Sequence, residues 1–313
     1  MGEYGTKVCL QIIELFIAMI AGYIAKKTHI IDAHSTKSLS SLLAYITSPV
    51  LIISSLQVDR DEKVLSMVIN ILIVSLIVHS VMAVFCYFFF KPVKDRRNRS
   101  VFTFALMYMN CGFMGYPIMQ AMFPDYGLLY GVIYTIPFNI FLWTHGVAVM
   151  DASENRKINF RKIFLNPGIL STVFAVVMFF SGLRFPQVIT DGLNMVGSMT
   201  FPLSMIIIGS LLADIKLLSL FKEYKLLLFS ILKLAVIPLT MLGVCVLAKN
   251  IMDFQLALIC VTMCATPTAT NTAVFAEVYD NNSTLAAKIV GVTTLFSLIS
   301  MPLILVLAEN LLG

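Results

Sequence analysis

Apolar runs of about twenty residues follow one another through this chain with only short polar gaps, and that pattern constrains its fold more than anything else. We place spans at 7–25, 36–57, 64–90, 100–122, 126–150, 163–182, 188–212, 224–248, 253–276 and 284–308. About 20 apolar residues in a helix cross a bilayer core. Inside that core every backbone N–H and C=O must find a partner within the protein, so such runs form helices. Composition agrees: 59% of the residues are hydrophobic and 12% charged, with mean hydropathy +0.91. Soluble domains carry about 25% charged residues. The expected fold is therefore an all-α polytopic membrane protein with ten transmembrane helices. These spans use nearly all of the 313 residues, so no soluble domain is expected. The net charge of +5 gives no nucleic-acid signal.

The first run, Val8 to Ala25, ends in Lys26-Lys27 and has neither a strong basic leader nor a small-residue cleavage site. It reads as a retained span. The six cysteines all lie in apolar segments and make no CxxC pair; Cys260 and Cys264, one turn apart, read as small packing residues. No HExxH, GxSxG or P-loop is present, so an enzyme is not expected.

Charge is unevenly divided between the two faces. The loops after spans 1, 3, 5 and 7 hold 15 Lys and Arg, and the opposite face holds 5. The positive-inside rule puts the richer face in the cytoplasm and both termini outside the cell membrane. The cluster Lys91–Arg99 reads as a topogenic loop, with anionic lipid head groups as the alternative partner.

The halves echo each other. Thr47-Ser48-Pro49 matches Thr200-Phe201-Pro202, Pro117 matches Pro267, and Gly22 at the end of span 1 matches Gly182 at the end of span 6. Division at 1–155 and 156–313 gives five spans each. An odd number turns the second repeat upside down, an architecture that puts a substrate site at the repeat interface near mid-membrane.

Two spans are interrupted. Span 4 carries Asn110, Gly112, Gly115 and Pro117; span 9 carries Thr266, Pro267, Thr268, Thr270, Asn271 and Thr272. Proline removes a helix hydrogen bond and clashes with the preceding turn, and the freed backbone groups must be buried or line a wet cavity. If each span unwinds before its proline, Pro117 and Pro267 sit near the first position of a second half-helix. Such a half-helix presents unpaired N–H groups and a positive dipole end. Two of them meeting at mid-membrane attract an anion, and Asn110, Thr266, Thr268, Thr270 and Asn271 add side-chain partners.

Several stretches together resemble the auxin efflux carrier family, which includes bacterial members and the plant PIN-FORMED proteins, within the superfamily of bile acid, arsenite and riboflavin transporters. They are Asn110-Cys-Gly112-Phe113-Met-Gly115-Tyr-Pro117, Gly127 and Gly131, Trp143-Thr-His-Gly146, Asn166-Pro167, Lys233 with Pro238, Ala265-Thr-Pro267, and Val292-Thr293-Thr294 with Ser297 and Pro302. The resemblance implies two inverted five-helix repeats with broken helices 4 and 9 crossing. It implies a scaffold of spans 1, 2, 6 and 7 and a mobile transport unit of spans 3–5 and 8–10, moving as an elevator, often in a homodimer joined through the scaffold. Family substrates are small organic anions: auxin in plants, and malate or malonate for bacterial members.

Three ionisable residues lie within spans and are candidates for coupling: Glu14, His79 and Lys233. Lys233 either snorkels or pairs with a carboxylate or the solute. His79 and His145 read more simply as packing histidines. The threonines of span 9 permit a sodium site, so coupling to Na+ or H+ is open, as are a sodium symporter of the same fold and a channel or sensor. No cofactor and no metal-ligand set is expected. The expected partners are the anion, the lipid bilayer and a second copy of the chain.

Overall fold

The computed structural model describes residues 2–59, 61–151, 166–215 and 223–313. These residues are helical almost throughout. We number the helices α1 (Glu3–Lys27), α2 (His34–Ser55), α3 (Glu62–Phe89), α4 (Arg96–Met107), α5 (111–122), α6 (Gly127–Met150), α7 (Pro167–Ser181), α8 (Gln187–Ala213), α9 (Tyr224–Leu247), α10 (Phe254–Ala265), α11 (Asn271–Val278) and α12 (Ser283–Leu312). Seven of them, α1, α2, α3, α6, α8, α9 and α12, are long and apolar enough to cross a membrane. The run at 100–122 divides into α4 and α5, and the run at 253–276 into α10 and α11. The run at 163–182 gives α7; its first residues, and the basic residues Arg60, Arg156, Lys157, Arg161, Lys162, Lys216 and Lys222, lie outside the described residues.

Polar residues just ahead of the apolar runs start the helices. Side chains of Asp32, Asp61, Asp95, Asn166, Asp253 and Asn282 each accept a backbone N–H of the first turn, satisfying donors that a helix start leaves open. The Ser35 backbone N–H at 2.6 Å holds the exposed Asp32 carboxyl below the usual carboxylate range. The α1 start has no cap of its own. The Glu309 carboxylate of α12 accepts the N–H groups of Tyr4 and Gly5 instead.

Three helices widen into π turns two residues ahead of a proline: 43–47 before Pro49, 111–115 before Pro117, and 232–236 before Pro238. A proline ring crowds the carbonyl four residues back, here those of Tyr45, Phe113 and Leu234, and widening the turn relieves the clash.

The apolar stripe of α1 shows how the bundle is built. Val8, Ile12, Leu15 and Met19 are buried, while Leu10, Ile13, Ile17 and Ile20 face outward. Both faces are apolar, as hydrocarbon around the bundle requires. Helix α1 lies against α8 with the backbones nearly touching: a Cβ on Gly22 would fall 2.1 Å from the Ile206 oxygen, and one on Gly209 1.9 Å from the Met19 oxygen. Small residues permit this approach between membrane helices. Helix α2 packs on α7 and α8, α3 on α6, and α12 on α9, α10 and α11. Helix α1 also touches α5 and α12.

Pairings gather the helix ends. At the start of α1 stand Glu309 of α12 and the rings of Phe123 and Phe254 against Tyr4. At its other end Lys26 meets Asp214 after α8 at 3.5 Å. One proposed repeat anchor fails. Gly182 closes α7 in the left-handed region (φ 74), whereas Gly22 lies inside α1 at the α8 crossing. The two glycines answer different steric demands.

Candidate functional site

Two chain breaks cross at the centre of the site. Tyr108 to Asn110 separates α4 from α5, and Thr266 to Thr270 separates α10 from α11. The breaks run antiparallel and exchange backbone bonds like two short strands. Asn110 N–H reaches the Pro267 oxygen at 2.8 Å, and Ala269 N–H reaches the Tyr108 oxygen at 3.0 Å. Met109 and Thr268 face each other as an isolated antiparallel bridge. Backbone leaving a helix in an apolar interior must be paired, and here each break satisfies the other.

The remaining donors and acceptors of the crossing fall to side chains. The Thr268 hydroxyl donates to the Ala105 oxygen at 3.0 Å, and Thr268 N–H donates to the Thr293 hydroxyl at 3.3 Å. The Thr266 hydroxyl turns back onto the Met263 oxygen at 2.8 Å, taking the bond that Pro267, lacking an N–H, cannot supply. Lys233 Nζ reaches the Leu106 oxygen at 3.3 Å. Asn110 caps α5, its Oδ1 accepting the Phe113 N–H at 3.3 Å.

The residues named from sequence thus fall into two sets. Asn110, Thr266, Pro267 and Thr268 are buried in the crossing, and Thr270 and Asn271 are half-buried at the start of α11. Pro117 and Pro267 do not both open a half-helix. Helix α5 resumes at Cys111, so Pro117 lies beyond its first turn, and Pro267 lies within the extended break itself. The backbone departs where N–H groups change partners, several residues before Pro117. Gly115 packs against the Met263 sulfur, which a Cβ would meet at 2.9 Å. Gly112 differs, since a Cβ there would meet nothing within 4 Å.

The Asn110 amide nitrogen, in a residue 3% exposed, has no hydrogen-bond partner among the described residues. Buried hydroxyls of Thr47, Thr200, Thr272 and Thr294 share that condition. Thr47 and Thr200 are the threonines of the repeated Thr-x-Pro, and the site residue that sequence does not single out is Thr293. Its bond to Thr268 joins positions 25 residues apart, and the one local signal was a threonine pair in an apolar run.

The coupling candidates separate cleanly. Lys233 is wholly buried, so it does not snorkel, and no carboxylate among the described residues pairs with it. Buried His79 bonds through Nδ1 to the Ser75 oxygen at 2.7 Å amid the rings of Tyr134, Phe138 and Phe141, and its Nε2 has no partner among the described residues. Glu14 is exposed on the outward face of α1, between Ile13 and Ile17, away from the crossing. Cys260 and Cys264 are buried, as a packing role requires.

A cavity of about 540 Å³ opens beside the crossing between α8, α11 and α12. Thr270 and Ala273 are among its lining residues, and Asp214 and Lys288 carry its charges. Lys288 is ion-paired with Glu223 and also borders a second cavity, of about 590 Å³, that includes Lys94 and Lys225.

The family profile described as "Membrane transport protein" matches residues 7–305. The chain belongs to this family. It is the auxin efflux carrier family that the residues around Asn110 and Pro267 resembled. Among proteins similar to it is an uncharacterized transporter of Methanocaldococcus jannaschii, 23% identical over 302 residues, covering 92% of this chain and 95% of that protein. Another is an uncharacterized transporter of Methanothermobacter thermautotrophicus, 25% identical over 297 residues, covering 93% and 95%. The chain is accordingly a multi-pass protein of a membrane transporter family, with lipid around it.

Proposed function

We propose that this chain is a secondary carrier of small organic anions, carboxylates such as malate or malonate or auxin-like acids, bound at the crossing of the two breaks. The observation that carries this reading is the Asn110 amide: a buried donor without a partner among the described residues, at the start of one half-helix and bonded through its backbone to the other break. A buried donor left unpaired costs about 1–3 kcal/mol, and a carboxylate oxygen would take it. The half-helix starts at Cys111 and Asn271 add positive dipole ends. The open space beside Gly112 leaves room at the same place.

The proposed architecture is ten spans in two inverted repeats, 1–155 and 156–313. Each of the pairs α4/α5 and α10/α11 counts as one broken span. The meeting of the α1 start with the α12 end supports an even number of crossings. In this reading α1, α2, α7 and α8 form the scaffold, and α3–α6 and α9–α12 form the unit that moves in an elevator-type alternation. The Lys-rich face is cytoplasmic and both termini are extracytoplasmic. The cavity reaching Thr270 from the Lys26–Asp214 end is then the entrance from the cytoplasm. The family resemblance puts a homodimer contact on the scaffold, and exposed Glu14 lies on a scaffold helix.

Purified protein screened by thermal shift against dicarboxylates, monocarboxylates and indole acids tests the reading, because a ligand that binds the folded state raises the melting temperature. The responding acid is then loaded into proteoliposomes. A carrier shows transient uphill counterflow of label; a channel does not. Indifference to every acid overturns the proposal.

A further inference from the structure

We infer that Lys233 is a tethered cation: its side chain takes the place at the end of α4 that an alkali-metal ion would otherwise fill, so this carrier works without sodium. The transport half of the inference rests on the anion-carrier reading; the placement of the side chain does not.

The break after α4 sets the requirement. In a continuous helix the Asn110 N–H would bond the Leu106 oxygen, and the Met109 N–H the Ala105 oxygen. Asn110 N–H goes to the Pro267 oxygen instead, and Met109 enters the bridge with Thr268. Two carbonyls at the negative end of the α4 dipole thereby lose their helical donors. The Thr268 hydroxyl takes the Ala105 oxygen and Lys233 Nζ the Leu106 oxygen. Unwound carbonyls and half-helix C-terminal ends are where broken-helix carriers hold a coupling cation. Here a side chain from α9 already brings positive charge to such an end.

The alternatives for Lys233 fit less well. It is 0% exposed, which excludes snorkelling to a head-group layer. A buried charge lacking both counter-ion and dipole is costly, and no carboxylate among the described residues pairs with it. The carbonyl end of α4 is the partner it has. A sodium ion brought to the same carbonyls would meet the ammonium at short range and be repelled.

Purified protein is melted in sodium chloride and in choline chloride at equal ionic strength, and uptake of the acid found by thermal shift is measured in proteoliposomes in the same two salts. The wild type should melt and transport alike in both. Lys233→Gln keeps a donor and loses the charge, and Lys233→Met loses both. Both should melt lower than wild type in choline and regain part of the loss in sodium. A wild type whose melting temperature or uptake rises with sodium overturns the inference, as does a Lys233→Gln protein that melts like wild type in both salts. If neither variant folds, the wild-type comparison decides alone. A wild type indifferent both to sodium and to every carboxylate overturns the carrier reading while supporting the placement of Lys233, so the two failures are told apart.

Discussion

The backbone N–H of Asn110 lies 2.8 Å from the carbonyl oxygen of Pro267, 157 residues along the chain and in a different interrupted helix. This bond fixes where two breaks cross, and it leaves the Asn110 side chain with two tasks. Its oxygen caps α5, and its amide nitrogen has no partner among the described residues. Asn110→Ala removes both while sparing the backbone bond. Loss of the cap should cost about 0.5–2 kcal/mol of stability. Loss of a donor to a charged ligand, worth about 1.5–3 kcal/mol, should weaken carboxylate binding roughly ten- to hundredfold. Melting curves with and without ligand measure both in one sample. An alanine variant that melts lower yet binds with wild-type affinity would restrict Asn110 to capping.

Thr268 serves the crossing from the other side. Its hydroxyl is the donor to the Ala105 oxygen, in a residue 0% exposed. Thr268→Val keeps the shape and leaves that acceptor unpaired, so the fold should lose about 1–3 kcal/mol. Thr268→Ser should recover most of it. The ranking wild type, serine, valine in thermal unfolding is the check; equal stability of valine and wild type would mean that the carbonyl finds another donor.

How far sequence reading reached follows from what kind of signal each feature carries. Span positions rest on the length and hydropathy of local runs, so 188–212 lies within Gln187–Ala213 and 224–248 lies over Tyr224–Leu247. The breaks were legible as polar residues amid apolar ones. Their register was not, because Tyr108 to Asn110 contains neither glycine nor proline. The chain departs from the helix there because the partner break supplies better-placed bonds, a tertiary cause. Lys233 stood out as an ionisable residue in a span, but its partner is a carbonyl 127 residues away. Glu14 and His79 looked alike in sequence; helix phase separates them, turning one outward and burying the other.

Two glycines should respond oppositely to the same change. Gly209 faces the Met19 oxygen, which a Cβ would approach to 1.9 Å. Gly209→Ala should force α1 and α8 apart and cost about 1–3 kcal/mol, as overpacking does. Gly112 faces open space. Gly112→Ala should fold at least as well, gaining up to about 1 kcal/mol of helix propensity. If that space holds the solute, the same methyl group should lower affinity. Comparing the two variants in ligand-free and ligand-bound melting separates packing from occupancy. Gly112→Ala with unchanged affinity would place the solute elsewhere along the crossing.

Lys288 gives the last expectation, and it concerns rate more than stability. Its ion pair with Glu223 is part-buried, with side-chain exposures of 29% and 41%. Pairs as open as this contribute about 0–1 kcal/mol, so Lys288→Gln should melt near the wild type. The residue nonetheless lines the same cavity as Thr270, where a positive charge raises the local concentration of anions. Removing it should slow initial uptake of a dicarboxylate from the Lys-rich face, leave the saturated rate nearly unchanged, and flatten the salt dependence of capture. Glu223→Gln should act in the other direction, because it frees the ammonium that Glu223 now engages. Initial rates at low and high salt in oriented vesicles measure these effects. If both variants keep the wild-type salt slope, the anion enters by a path that does not pass Lys288.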